Sequence, residues 1–188
     1  MLLKVKFQKN MNKTTFVLLL AFVAGITVKS LGQTVPVDAD TKLITYKEIV
    51  QVTGSKTDLY NRALEWINTE YKNPLDVTRV KNVANGVIEL VHRIEIYKTD
   101  KDVKRSAGTV DYTLKLEIKD GRYRYNFNNF LLHDVSKMPI EKWLDKTDKK
   151  YDPVFEQYLQ QVDARVKEII TSLKSGMLPP QEPKKDEW

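Results

Sequence analysis

The 188-residue sequence contains no cysteine and only two histidines. Without cysteine there can be no disulfide, no thiolate nucleophile, no zinc–thiolate site and no lipid-modified N-terminal cysteine. Two histidines cannot supply a typical multi-histidine metal site. The sequence also lacks a glycine-rich phosphate loop and a serine in a nucleophile elbow. These absences favour a non-enzymatic protein that needs no cofactor and no metal, and whose stability comes from its core.

The chain also lacks an apolar run long enough to span a bilayer. The uncharged stretch from Phe16 to Val28 holds 13 residues, whereas a membrane-spanning helix needs roughly 20. Four lysines precede it, and a small-residue cut site follows between Gly32 and Gln33. This arrangement predicts a cleaved signal peptide over residues 1–32, and therefore export to the periplasm or the extracellular space. Lys29 lies close to the cut, so an uncleaved anchor remains the alternative, and Met11 is an alternative start.

Cleavage would remove most of the net positive charge. Residues 1–32 contain five of the 31 basic residues and no acidic residue, which leaves 26 basic against 25 acidic residues. Nucleic-acid binding depends on clustered cations that neutralise phosphates. A nearly neutral mature chain is therefore not expected to bind nucleic acid, and after cleavage no stable membrane span is expected.

Hydrophobic periodicity predicts one α+β domain over residues 43–176, after a linker over 33–42 and before a disordered tail over 177–188. Alternating residues and tight-turn signals predict an antiparallel sheet with two helices on one face, in the order β-α-β-β-β-β-α. The predicted strands are Leu43 to Val52, Val77 to Ala84, Val87 to Lys98, Val110 to Lys119 and Arg122 to Leu132. Helices are predicted from Ser55 to about Asn73 and from Asp152 to Gly176. Thr99 to Arg105 is predicted to be a charged loop, and Tyr123, Tyr125, Phe127 and Leu131 to share the buried face of the last strand.

The opening strand, the segment LYNRALEWI (Leu59 to Ile67) and this element order resemble exported Bacteroidetes proteins that carry domain of unknown function 4468. The resemblance extends over about residues 43–173, and it implies a TATA-binding-protein-like (TBP-like) fold and an exported location. None of its motifs is a catalytic signature, so it implies no activity. Although the fold name suggests DNA binding, Glu89, Glu95, Asp111 and Glu117 are predicted on the open sheet face, where carboxylates repel phosphates.

The weak candidates for a functional site are His133 and Asp134, adjacent residues at the end of the last predicted strand. Such a pair can bind a metal or move a proton, but a loop hydrogen bond is the simpler interpretation. His92 shares its parity with Ile88, Leu90, Ile94 and Ile96, so it is expected to be a core histidine. Paired acids such as Asp100 and Asp102, or Asp145 and Asp148, occur without the spacing of a metal or catalytic site.

Two functions remain open from the sequence. The leading hypothesis is an exported, non-catalytic domain that binds an unknown protein or envelope component. The alternative is a carrier of a small apolar ligand held between the sheet and the C-terminal helix, where the aromatic side chains are otherwise expected to form the core.

Overall fold

The computed structural model describes residues 35–101, 103–133 and 137–180. The predicted signal peptide, its cleavage site at Gly32 and Gln33, Asp134 and the end of the predicted tail lie outside the described residues. Within the described parts of the chain, no helix is long and apolar enough to cross a membrane.

The sheet is antiparallel, with the strand order β1-β5-β4-β3-β2. The strands are β1 (Tyr46–Gln51), β2 (Thr78–Asn82), β3 (Val87–Asp100), β4 (Val103–Lys119), β5 (Arg122–Leu132) and a short β6 (Met138–Pro139) that pairs with β5. The helices are α1 (Lys56–Glu70), a short α2 (Pro74–Val77), a 3-10 helix (Ile140–Leu144) and α3 (Val154–Gly176). This confirms the predicted fold class of an antiparallel sheet with helices. The sequence did not predict α2, β6 or the 3-10 helix.

Helix α1 begins where the sequence places its capping box. The Ser55 hydroxyl accepts a hydrogen bond from the Asp58 backbone N–H at 3.2 Å, and the Asp58 carboxylate accepts one from the Ser55 backbone N–H at 3.0 Å. Two of the helix's otherwise unpaired N–H groups are thereby satisfied. The buried face of α1 then packs on the sheet through Leu59, Tyr60, Ala63, Trp66 and Ile67.

Helix α3 lies beside α1 and buries a stripe of side chains at helical spacing, namely Tyr158, Leu159, Val162, Val166, Ile169 and Leu173. At its end, Gly176 lies so close to Trp66 that an added Cβ would sit 2.9 Å from Trp66 Cδ1. Only glycine permits this approach of α3 to α1. Met177, which was predicted to begin a disordered tail, is instead fully buried in the core.

The predicted core between sheet and helices is present. Tyr112, Tyr123, Tyr125, Phe127 and Trp66 are each at most 4 % exposed. Val35 is also buried and Val37 pairs with Ile44, so part of the stretch predicted as a linker packs onto the domain.

The prediction of a charged loop at Thr99 to Arg105 was wrong. Residues Thr99 and Asp100 pair with Lys104 and Val103, so β3 and β4 continue as a two-stranded ribbon to a tight turn. Both faces of this ribbon are in water, and a strand solvated on both sides carries no apolar alternation for a sequence pattern to detect.

The predicted inward position of Leu131 was also wrong, because β5 contains a bulge. Asn129 has a φ of +55°, and the pairing register with β4 shifts between Asp111 and Thr113. An extra residue reverses the inward and outward alternation beyond it. Phe130 is therefore fully buried, whereas Leu131 is half-buried.

Candidate functional site: a charged cleft beside strand β3

A cleft of about 660 Å³ lies beside β3, where the pairing with β2 ends at Leu90 and β3 continues. Residues from α1, α2, β2, β3, β4 and α3, and both histidines, line it. Its charged side chains are five cations (Lys72, Arg79, Arg93, Lys137 and Arg165) and three carboxylates (Glu70, Asp76 and Asp111).

The His92 ring forms part of the inner wall of the cleft. It packs edge-on against Tyr71 and Tyr112, with ring centroids 5.2 and 6.3 Å away. Burial lowers the pKa of His92 below its ordinary value, and the charges of Arg93 and Arg165 lower it further. A neutral imidazole between aromatic rings fits the predicted role of a core histidine better than that of a catalytic base.

Two buried tyrosines join at the same wall. The hydroxyls of Tyr71 and Tyr112 lie 3.2 Å apart and share a hydrogen bond. Burial raises the pKa of Tyr112 to about 12 and raises that of Tyr71 well above its ordinary value. Both phenols therefore stay protonated at neutral pH, and their mutual bond satisfies polar groups that would be costly to bury alone.

His133, a candidate from the sequence, lies at the outer rim of the cleft. Its Nδ1 is 3.0 Å from Oδ2 of Asp111, and its backbone N–H donates to the Thr109 carbonyl at 2.8 Å. Lys137 Nζ is 3.5 Å from the same Asp111 oxygen. Asp134, the other candidate, lies outside the described residues.

Asp111 was predicted to face water on the open side of the sheet, yet the residue is only 8 % exposed. His133 and Lys137 cover it from the segment that follows β5. The sequence shows no signal for this contact, because Asp111 is 22 residues from His133 and only the pairing of β4 with β5 brings them together.

A second network closes the helical side of the cleft. Arg165 on α3 donates to Glu70 at 2.9 Å, and Ser172 donates to the other oxygen of the same carboxylate at 2.6 Å. The Trp66 indole N–H donates in turn to the Ser172 hydroxyl at 3.0 Å. These bonds join α1 to α3 and fix the position of the Arg165 guanidinium.

The remaining cations of the cleft are not paired in this way. Among the described residues, Lys72, Arg79 and Arg93 form no salt bridge with a carboxylate, although Arg79 donates to the Asp76 carbonyl at 2.6 Å. Glu70 and Asp111, by contrast, are already engaged. The cleft therefore offers an excess of cationic donors to an incoming group.

The other paired acids serve local structure. Asp38 and Asp145 accept hydrogen bonds from residues two or three positions ahead, such as Thr41 and Thr147. The Lys47 ammonium, together with these local bonds, holds the pKa of the Asp38 carboxyl below its usual range, and the bonds from Thr147 do the same for Asp145. In the described residues, His, Asp and Glu side chains form no group of three that could hold a metal ion.

A family model matches the part of the chain that forms β1 to β5, including much of the cleft. Residues 46–132 match the model described as "Domain of unknown function (DUF4468) with TBP-like fold". This stretch is a DUF4468 domain. The cleft is built partly on it, from Glu70 to Asp111, and partly on residues beyond the match, His133, Lys137 and Arg165.

Two solved structures share the fold of this chain. A TBP-like protein from Parabacteroides distasonis aligns with a TM-score of 0.61 and 13 % identity, covering 77 % of this chain and 97 % of that one. A DUF4468 family protein from Bacteroides ovatus aligns with a TM-score of 0.61 and 16 % identity, covering 81 % and 95 %. No curated protein matches the chain in sequence. At these identities the likeness establishes the TBP-like fold alone.

Proposed function

We propose that this DUF4468 protein is an exported, non-catalytic domain that binds an acidic segment of a protein or envelope component in the cleft beside β3. One observation carries the proposal. Five cations and three carboxylates line the cleft. Two of these carboxylates, Asp111 and Glu70, are already paired, Asp111 with His133 and Lys137 and Glu70 with Arg165.

Electrostatic complementarity supports an acidic partner. Lys72, Arg79 and Arg93 retain donors for a carboxylate, and the planar guanidinium of arginine suits a bidentate contact. The networks around Glu70 and Asp111 hold the walls in place before binding, which lowers the entropy lost on association.

Charge on the open face of the sheet argues against nucleic acid as the partner. Glu117 accepts a hydrogen bond from Arg124 Nε at 2.7 Å, directly across the β4–β5 pair. Mixed charges of this kind stabilise neighbouring strands in water and would place carboxylates against phosphates.

A carrier function would need space for a ligand between the sheet and α3. That layer is filled by close-packed side chains, including Tyr112, Phe127, Val162 and Val166, each at most 1 % exposed. Binding at the cleft is therefore the better-supported function.

The binding proposal is tested with a Glu-rich hexapeptide and a Lys-rich hexapeptide, measured by fluorescence anisotropy at two salt concentrations. We expect the acidic peptide to bind in a salt-sensitive manner, and Arg93→Glu or Lys72→Glu to weaken it at least tenfold. Lys81→Glu makes the same charge change on β2 outside the cleft and is the matched control. Equal losses in all three variants would contradict the assignment of the site.

Export and the absence of catalysis are tested separately. Intact mass of the protein recovered from the cell envelope should show a chain that begins at Gln33, whereas an intact chain in the cytosol would refute export. Broad hydrolase substrate panels should give no turnover. Reproducible activity that disappears on substitution of His133 and Asp134 would overturn the non-catalytic assignment.

A further inference from the structure

One edge of the sheet is open where β3 passes the charged cleft. Strand β2 pairs with β3 only as far as Leu90, whereas β3 continues to Asp100. Beyond Leu90, no strand among the described residues pairs with β3 on this side. The residues that follow directly, Val91, His92 and Arg93, line the cleft. The wall of the cleft therefore includes an unpaired strand edge.

The free backbone groups on this edge belong to Arg93 and Glu95. Successive residues of a strand direct their N–H and C=O groups to opposite sides, so every second residue faces the same way. Both backbone groups of Tyr97 face away from β4, because they bond the Gln161 side chain of α3 at 2.9 and 2.8 Å. Arg93 and Glu95 share that direction, yet no turn or loop hydrogen bond within the described residues reaches their backbones. Two N–H donors and two C=O acceptors are therefore available to an added strand.

The open edge is closed at both of its ends. Strand β2 covers β3 up to Leu90, and Gln161 covers Tyr97 by bonding both of its backbone groups, as a neighbouring strand would. Only the residues from Val91 to Ile96 lie between these two points. Exposed strand edges are templates for pairing with another chain, and folded proteins usually cover them. A short edge with closed ends suits an extended segment of a few residues.

Cations lie on both sides of this edge. Arg93 is opposite Asp111 in the sheet register, and Lys137 Nζ lies 3.5 Å from the Asp111 carboxylate, which places both cations on the outer side of the sheet. Arg165 lies on the helical side, where it pairs with Glu70. In an added strand, successive side chains would point alternately to these two sides. Acidic residues at successive positions would therefore meet cations on both sides.

From these features we propose that the acidic partner binds in an extended conformation and adds a strand to the open edge of β3. The proposal rests on the function proposed for the cleft and states how the partner is recognised there. Main-chain hydrogen bonds to Arg93 and Glu95 supply affinity, and the flanking cations select an acidic sequence. A second copy of this chain fits the edge less well, because it would bring two sets of cleft cations together.

Amide hydrogen exchange followed by NMR tests strand addition directly. The purified protein is measured alone and saturated with the Glu-rich hexapeptide. We expect exchange of the Arg93 and Glu95 amides to slow at least tenfold in the complex, because each N–H gains an acceptor. Ile49 is the control, since it lies on β1, the strand at the opposite edge of the sheet, and its amide should exchange at the same rate in both samples.

Methylated peptides separate strand pairing from charge attraction. Methylation of every second backbone nitrogen blocks one edge of an extended peptide and leaves the other edge free to pair, whereas methylation of every nitrogen blocks both edges. We expect the first peptide to bind about as tightly as the unmodified hexapeptide and the second to bind at least tenfold more weakly. Since all three peptides carry the same charge, equal affinities would refute strand addition.

Two variants at Glu95 make the matching change on the protein. Glu95→Gln and Glu95→Pro both remove the carboxylate that accepts from the Tyr97 hydroxyl, but only proline removes the backbone N–H, at an edge position where strands tolerate it. We expect Glu95→Gln to bind the acidic peptide at least as tightly as the wild type, and Glu95→Pro to bind it about fivefold more weakly, as for one lost hydrogen bond. Charge alone would tighten binding in both variants. If Glu95→Pro fails to fold, the exchange rates and the methylated peptides decide.

Failure of strand addition is distinguishable from failure of the cleft as a binding site. If no acidic peptide binds, both proposals fail. If the peptide binds and the Arg93 and Glu95 amides exchange as before, the cleft function stands and strand addition is refuted. Slow exchange of these amides in the peptide-free protein would also overturn the proposal. Protection that rises with protein concentration would then identify a second copy on the edge, and protection independent of concentration would identify another segment of this chain.

Discussion

Two glycines with similar positive φ values allow the steric cost of an added Cβ to be separated from the cost of the backbone conformation. Gly86 and Gly121 lie in the turns that follow β2 and β4, with φ values of +64° and +70°. Both conformations favour glycine over residues with a side chain. Their surroundings differ, because a Cβ on Gly86 would lie 2.3 Å from the Ile118 carbonyl oxygen, whereas a Cβ on Gly121 meets no atom within 4 Å.

The expected cost of alanine follows from this difference. At either position the left-handed conformation costs roughly 1–2 kcal/mol for a residue with a Cβ. At Gly86 the backbone of Ile118 must also move, although its N–H donates to the Gly86 carbonyl at 2.7 Å and holds the two segments together. Overpacking of this kind adds about 1–3 kcal/mol.

We therefore expect Gly86→Ala to lose about 1–3 kcal/mol more unfolding free energy than Gly121→Ala. Urea unfolding monitored by tryptophan fluorescence measures both, since Trp66 and Trp143 are buried. The dependence on urea should be the same in both variants, so that the midpoints report stability. If Gly121→Ala is as destabilised as Gly86→Ala, the backbone conformation alone sets the cost and the steric argument fails.

Three further predictions concern the sheet and the cleft. Phe130→Ala should cost about 3–5 kcal/mol and Leu131→Ala less than about 2 kcal/mol in urea unfolding, because the bulge at Asn129 buries Phe130; the reverse order would refute the bulge. Gln161→Ala should cost about 1–3 kcal/mol, since its amide accepts from the Tyr97 N–H at 2.9 Å and donates to the Tyr97 carbonyl at 2.8 Å, whereas exposed Gln160→Ala should be nearly neutral. Burial lowers the pKa of His92 in the folded state, so the unfolded state binds more protons below the ordinary value of 6.5. Stability should therefore fall as the pH drops below that value and level off once His92 is protonated in the folded state, and His92→Gln should flatten this slope; an unchanged slope would place the titration elsewhere.

The sheet and the two long helices were predictable because their residues alternate or repeat with a clear period. The β4–β5 hairpin shows this best, since the start and end of β5 coincide with the prediction. From Tyr123 to Phe127 the inward positions of β5 repeat every second residue, and the turn at Asp120 and Gly121 requires a residue that adopts positive φ.

Features that break a period were not predictable. The bulge at Asn129 adds one residue to β5, and the charged ribbon beyond Tyr97 has no apolar face. Neither feature produces a hydrophobic periodicity from which it could be predicted. Both are set by the pairing between strands.

The candidate site likewise has properties that the sequence predicts and contacts that it does not. The sequence by itself determined that His92 lies on a strand and His133 at the end of one, that the core is aromatic, and that thiolate and multi-histidine chemistry are excluded, because residue type and local period fix these properties. Only the tertiary structure decided that Asp111 meets His133 and that Arg165 meets Glu70. These contacts join residues far apart in the chain, and their geometry depends on how β4, β5, α1 and α3 pack, which no local pattern encodes.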